Sequence, residues 1–302
     1  MLDVRRLRLL RELSLRGTIA AVAEALAFTP SAVSQQLSAL EREAGISLLE
    51  RTGRRVVLTP AGQNLVHHAE AVLERLERAE AELSDARRGL AGSLRIGAFP
   101  TAGRAILPAA LTSLAREHPG LEPMVLEIDP AGVAHALRAG DLDVALFHEY
   151  DFVPTPAEPG LATEPLFTEA MFLASTSPVP GEAVDGSLIG RFKDASWITA
   201  TPGTLCHAMT VRAFQAAGFT PLIRHQVDEF ATVLALVAAG QGVAVVPQLG
   251  VVDPQPEVVL TRLPIHRRTK IAFRSGAARH PAITATATAL RAAVPEELAL
   301  LR

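Results

Sequence analysis

The stretch "TIAAVAEALAFTPSAVSQQLSALE", residues 18–41, decides how the amino-terminal part of this chain is read. Its first half is a short alanine-rich helical pattern and its second half opens at "TP". Thr29 is placed as the N-cap and Pro30 as the first helical residue, a favourable pairing because proline has no N–H to leave unsatisfied there. At ~100° per residue, Val33, Leu37, Leu40 and Ala44 then share one narrow face that must be buried. Ser31, Ser34, Gln35, Ser38 and Arg42 share the opposite face. A solvated helix face normally carries Glu and Lys; this one is short and mostly uncharged, and its groups both donate and accept. That is what a helix entering the major groove of DNA needs: close approach, hydroxyls for phosphate, and an amide able to read adenine through two hydrogen bonds.

The surroundings fit. Leu7, Leu10 and Leu13 lie on one face of an opening helix that Gly17 stops, and Thr18 is placed to cap the next. Downstream, "LLERTGRRVVLTP" (48–60) reads as strand, turn at Thr52-Gly53, strand. Two helices joined by a short turn and followed by a hairpin make a winged helix-turn-helix. Arg51, Arg54 and Arg55 of the hairpin suit phosphates or a minor groove; the same three are also ordinary charge for a solvated turn.

Charge is unevenly spread. Residues 1–62 hold nine arginines against six acids, while the whole chain is −3. A basic amino-terminal segment on an acidic body points to a local nucleic-acid contact rather than to general polyanion binding. Cys206 is the only cysteine in 302 residues, which excludes an intrachain disulfide and a cysteine-based zinc cluster and suits a reducing compartment. The start, "MLDVRRLRLLRELSLRG", lacks the apolar stretch of a signal peptide, and no run has the roughly 18 apolar residues of a membrane span. The expectation is a cytoplasmic protein with no membrane partner.

Residues 60–89 read as one long helix. Leu65, Ala69, Val72, Leu76, Ala79 and Leu83 recur at alternating spacings of four and three, a heptad seam that suits a second copy of the helix or packing on the chain's own domain. From residue 90, near-continuous apolar strands alternate with helices, the pattern of an α/β fold with mostly parallel sheets. Over 200 residues of it suggest two lobes. Ligands in such folds sit beyond the carboxyl ends of strands. Four segments are therefore expected to face one cleft: "GAFPTAGRA" (97–105) with Thr101 as a cap, "HEYDF" (148–152), "TPGTLCH" (201–207) and "DEFA" (228–231). Phe99, Thr101, Ala102, His148, Thr201, Thr204 and Phe230 are its candidate lining residues, with loop packing or capping as the alternative for each. Arg104 is placed either to pair an effector carboxylate or to face solvent. His207 beside Cys206 suggests metal or redox sensing only if further ligands converge; otherwise they are a satisfied histidine and a buried thiol. No catalytic constellation stands out, so an α/β enzyme or an exported ligand carrier with a helical appendage lacks its defining feature.

The segment "ALAFTPSAVSQQLSALEREAGISLLERTGRRVVLTPAG" (25–62) resembles the DNA-binding domain of LysR-type transcriptional regulators, and "RAILPAALTSLAREHPG" (104–120) and "LVAAGQGVAVVP" (236–247) resemble that family's effector-domain signatures. The resemblance implies a winged helix-turn-helix domain over 1–59, a dimerisation helix over 60–89 and a two-lobed, periplasmic-binding-protein-like effector domain over 90–302. Lobe one would take about 90–162 and 266–302, and lobe two about 163–265, with crossing strands near "GLATEPLF" and "VVLTRLPI". It further implies a regulator rather than an enzyme, with no cofactor and no metal. Its partners would be double-stranded operator DNA, a small-molecule effector of unknown identity, further copies of itself as dimer or tetramer, and RNA polymerase. The family often has Gln-Pro where Pro30 and Ser31 stand and Arg where Gln35 stands; glutamine cannot copy an arginine's two-pronged grip on guanine, so the resemblance carries over the docking geometry but not the operator preference at that base pair.

Overall fold

The computed structural model describes residues 1–52, 55–85, 90–154, 158, 160–178 and 187–299. Three helices open the chain: α1 (Val4–Arg16), α2 (Ile19–Ala25) and α3 (Pro30–Ala44). Each has a side-chain cap. Asp3 accepts from the Arg5 and Arg6 amides, Thr18 from Ala21 and Thr29 from Ala32. Gly45, at φ 67°, closes α3 in a left-handed conformation that a residue with a Cβ adopts only at a cost. The hairpin pairs β1 (Leu49–Thr52) with β2 (Arg55–Leu58), Leu49 opposite Leu58. Glu41 ties it to α3 by accepting from the Leu48 and Leu49 amides. Leu10, Val22, Val33, Leu37 and Leu40 form the buried centre of this domain.

α4 (Pro60–Asp85) follows, and its last expected turn, 86–89, lies outside the described residues. Its heptad positions divide between two uses. Ala69 is fully buried in the core of the winged domain and so is not free for a partner, and Leu65 is half-buried against the same core. At its amino-terminal end the seam therefore takes the second of its two expected uses, packing on the chain's own domain: the apolar face of α1 needs a cover, and the first turns of α4 supply it. Val72, Leu76, Ala79 and Leu83 are exposed.

The remaining elements are β3 (Ala91–Ala98), α5 (Pro100–Ala105), α6 (Leu107–Glu117), β4 (Gly120–Glu127), α7 (Pro130–Ala139), β5 (Val144–Tyr150), β6 (Leu161–Ser175), α8 (Ser187–Gly190), β7 (Ser196–Thr199), α9 (Leu205–Ala216), β8 (Leu222–Gln226), α10 (Phe230–Ala238), β9 (Val243–Pro247), β10 (Val259–Arg274), α11 (Pro281–Ala292) and α12 (Glu296–Ala299). The helix expected from residue 103 is in fact two, because Pro108 has no N–H to give back to the carbonyl four residues earlier; the chain kinks at Ile106. The strands form one ladder in the order β4-β3-β5-β10-β6-β9-β7-β8. β3 pairs parallel with β4 and β5, and β7 pairs parallel with β8 and β9. The central pairings, β5-β10, β10-β6 and β6-β9, are antiparallel. The reason is geometric: β6 and β10 are the long strands that cross between the lobes, one leaving and one returning. Separate apolar cores flank the sheet in each lobe, around Ile96, Leu146 and Ile271 in lobe one and around Met171, Trp197 and Phe214 in lobe two.

Lobe one also holds the winged domain. Glu12, buried, accepts from Arg11 and Arg16, and Arg16 reaches on to Asp141 at the end of α7. Arg274 pairs with Glu77 of α4 at 2.9 Å.

Candidate functional site

Two surfaces present candidate chemistry. The first is the outer face of α3. Val33, Leu37 and Leu40 are buried beneath it, and Ser31, Ser34, Gln35, Ser38 and Arg42 are exposed above. The two glutamines differ in use. Gln36 accepts a 2.9 Å hydrogen bond from Arg6 Nε on α1, whereas Gln35 has no hydrogen-bond partner among the described residues. The hydroxyls of Thr29 and Ser31 lie 3.1 Å apart at the start of the helix, where Pro30 is also exposed. Arg54 lies outside the described residues, as do the side chains of Arg51 and Arg55.

The second is a cavity of about 380 Å³ between the lobes. Phe99, Thr101, His148, Thr204 and Phe230 line it. Ala102 does not: it is fully buried in the core of lobe one. Thr201 is not among the lining residues but stands directly behind one of them, its hydroxyl and amide donating to Asp228 at 2.6 and 2.8 Å. Thr101 lines the cavity but is no cap. α5 starts without a side-chain cap, and the Thr101 hydroxyl instead accepts from Arg267 at 2.9 Å. Thr204 is a cap, accepting from the His207 amide. His207 is held by the Ala200 carbonyl at 2.9 Å. No cluster of three or more His, Cys, Asp or Glu suited to a metal occurs among the described residues.

Sequence reasoning missed one lining residue, Arg267. Its guanidinium is 2.7 Å from Glu169, with both side chains almost wholly buried, and stands 4.9 Å from the centre of the Phe99 ring. The signal was present. Leu263, Ile265, Ile271 and Phe273 alternate along β10, and Arg267 and Thr269 occupy the same core-facing parity. His148 packs edge-on against Phe99. Burial first, and then the charge of Arg267, holds its pKa well below the ordinary histidine value, so the ring is neutral. Burial likewise pushes the Cys206 thiol up, against the opposing influence of the Tyr150 hydroxyl.

Four carboxylates complete the lining: Glu127 and Asp129 from lobe one, Asp228 and Glu229 from lobe two. Asp129 caps α7 and Glu229 caps α10. Partial burial, joined by the charge of Asp228 across the cleft, raises the Asp129 carboxyl above its usual value despite the Ala131 and Leu205 amides. Arg104 donates to the Leu249 carbonyl at 2.8 Å, so it bridges the lobes rather than pointing freely to solvent.

Comparison with known proteins bears on both surfaces. Residues 4–63 match the family described as bacterial regulatory helix-turn-helix protein, lysR family, and residues 87–295 match the LysR substrate binding domain. The chain is 40% identical over 165 residues to a probable hydrogen peroxide-inducible genes activator of Mycobacterium xenopi, covering 54% of this chain and 82% of that one. It is 30% identical to the nitrogen assimilation regulatory protein nac of Klebsiella aerogenes, over 82% of this chain and 79% of the relative. Among solved structures, a mutant of Corynebacterium glutamicum OxyR superposes with a TM-score of 0.59 at 26% identity, covering 100% of this chain and 95% of the other.

Proposed function

This chain belongs to the LysR family of bacterial regulators, and we propose from that premise how its own residues divide the work of reading DNA and sensing a small molecule. It is a sequence-specific DNA-binding transcriptional regulator with an effector-binding domain. In our reading α3 enters the major groove. Ser31, Ser34 and Ser38 make close contacts, Gln35 reads a base, and Thr29 and Pro30 hold the helix end against phosphate. Arg51, Arg54 and Arg55 follow the backbone from the wing. The observation that carries this is the division of labour between the glutamines: Arg6 occupies Gln36 and leaves Gln35 free on the exposed, uncharged stripe.

The test is competition binding with operator fragments selected from the host genome. Gln35→Ala is expected to forfeit about 1–3 kcal/mol of discrimination at one base pair while keeping most of the non-specific affinity. A variant that ranks all single-base operator changes as the parent does would remove Gln35 as a reader.

The regulator works as a homo-oligomer in this reading, with two winged domains set on half-sites ~34 Å apart or a multiple of it. Val72, Leu76, Ala79 and Leu83 supply the exposed seam. Leu76→Asp is expected to shift sedimentation toward the monomer and to weaken operator binding by at least about tenfold, because two linked half-sites bind far better than one. Unchanged sedimentation would take the seam out of the interface. No described helix is long and apolar enough to cross a membrane; we place the protein in the cytoplasm, beside its DNA and the RNA polymerase it would influence.

A small organic effector, not a resident cofactor, occupies the cleft in this reading, with Phe99, Thr101, His148, Thr204 and Phe230 around it. The mycobacterial relative's name concerns hydrogen peroxide. Peroxide reacts with a cysteine through its thiolate, and burial disfavours one at Cys206. The sequence also lacks a second cysteine to resolve an oxidised one.

A further inference from the structure

We propose that the effector carries a protonated amine, clasped between Asp129 of lobe one and Asp228 of lobe two. This rests on the reading of the cleft as the effector site and adds the chemical class of its ligand. The lining settles the sign of charge that fits. Glu127, Asp129, Asp228 and Glu229 all border the cavity. Of the two lining arginines, Arg267 is already neutralised by buried Glu169 and gives another hydrogen bond to Thr101. Arg104 spends a donor on the Leu249 carbonyl, and its charge acts on the neighbouring Glu229. Asp129, Asp228 and Glu229 already accept from nearby amides but keep their negative charge, so an anionic ligand would still meet four carboxylates against Arg104 alone, whereas a cation is drawn to them.

Asp129 and Asp228 add direction. They belong to opposite lobes and lie close enough for the charge of one to act on the other. Bringing the lobes together brings two like charges together, which opposes closure. An ammonium between them removes that repulsion and donates N–H groups to both. Its binding energy is therefore greater in the closed arrangement, and such a difference is what lets a ligand shift a conformational equilibrium.

A second observation points to a ligand independently. His148, 5% exposed, lines the same cavity, and its Nδ1 has no hydrogen-bond partner among the described residues. Buried polar atoms in folded proteins are nearly always paired, so an orphan beside a cavity marks a place for a partner group. Neutral imidazole donates or accepts equally well. It orients a polar group of the ligand, and the carboxylates select the charge. Phe230 adds an apolar wall.

The test is calorimetric titration of the full chain with 1,4-diaminobutane, lysine and arginine, and with succinate and benzoate as anions of similar size. Asp129→Asn and Asp228→Asn remove one charge each and keep an oxygen acceptor; asparagine caps a helix as well as aspartate does. At least one amine should bind, and each substitution should weaken it by about fivefold or more, while the anions bind poorly. Free diamine against the amino acids separates a simple amine from a zwitterion. Thermal melts report whether the variants fold, and Asp129→Ser stands in where Asp129→Asn does not. Silence from every amine, or amine binding indifferent to both substitutions, overturns the proposal. An anion that binds and is weakened by Phe230→Ala overturns it while sparing the cleft as the effector site. Binding of any probe that ignores Phe230→Ala as well as both aspartates takes the cleft reading down with it.

Discussion

Replacing Glu169 with leucine is expected to cost about 3–5 kcal/mol of unfolding free energy, because it leaves Arg267 charged and buried with no counter-charge. The two residues stand opposite each other on β6 and β10, the strands that cross between the lobes. Arg267 donates to Glu169 Oε1 from Nε at 2.8 Å, and Glu169 Oε2 accepts from the Leu249 amide at 2.7 Å. The carboxylate thus serves a charge and an amide at once, and both lose their partner when it goes. The double variant Glu169→Leu/Arg267→Met is expected to recover most of the loss. Removing both charges also removes the penalty for taking them out of water, and only the Leu249 amide and the Thr101 hydroxyl lose a bond. Urea unfolding followed by fluorescence reads the result. Trp197 is the chain's one tryptophan and is fully buried in lobe two. A single variant as stable as the double would mean that Arg267 finds water or another acceptor once Glu169 is absent.

That pair also marks where the sequence stopped being informative. The capping residues, the buried stripe of α3 and the hairpin were legible because each depends on neighbours within a few positions. Thr18 and Thr29 cap where local chemistry says they should. Thr101 lies one residue inside its helix, where Phe99 holds the cap position, and its hydroxyl accepts from Arg267, 166 residues away. Thr201 is taken by Asp228 in the same manner, across 27 residues. A threonine near a helix start has two outlets for its hydroxyl, and periodicity sees only the local one. Ala102 fell outside the cleft for a related reason: in a six-residue helix lying on a core, the inward face and the cleft face are one residue apart.

The heptad seam shows the opposite limit. Its spacing was correct as a statement that α4 has an apolar stripe, but spacing names no partner. Ala69 meets the winged domain's own core, while Leu76 stays open. The like-charged lining of the cleft was split among segments 127–129 and 228–229, and only the pairing of the two lobes brought them to one cavity.

The contact between α4 and lobe one carries the other large expectation. A Cβ placed on Gly276 would stand 2.5 Å from the Glu74 backbone oxygen and 2.9 Å from Glu77 Cβ. A side chain could swing aside; a helix carbonyl cannot, so Gly276→Val must lift α4 from the turn that follows β10. The cost is about 1–3 kcal/mol from overpacking, and the lift also stretches the 2.9 Å pair between Arg274 and Glu77. Because α4 is packed into the winged domain at its start and rests on lobe one here, the variant should loosen one body from the other without touching α3. Small-angle scattering is expected to report a larger radius of gyration, and thermal unfolding to begin earlier. Affinity for a selected operator fragment should stay within about threefold of the parent, since the recognition helix keeps its own core and caps. A Gly276→Val protein with the parent's scattering curve and melt would mean that α4 does not rest on this turn in solution. The route from cleft to recognition helix would then have to run through other contacts, such as Arg16–Asp141 between α1 and the end of α7.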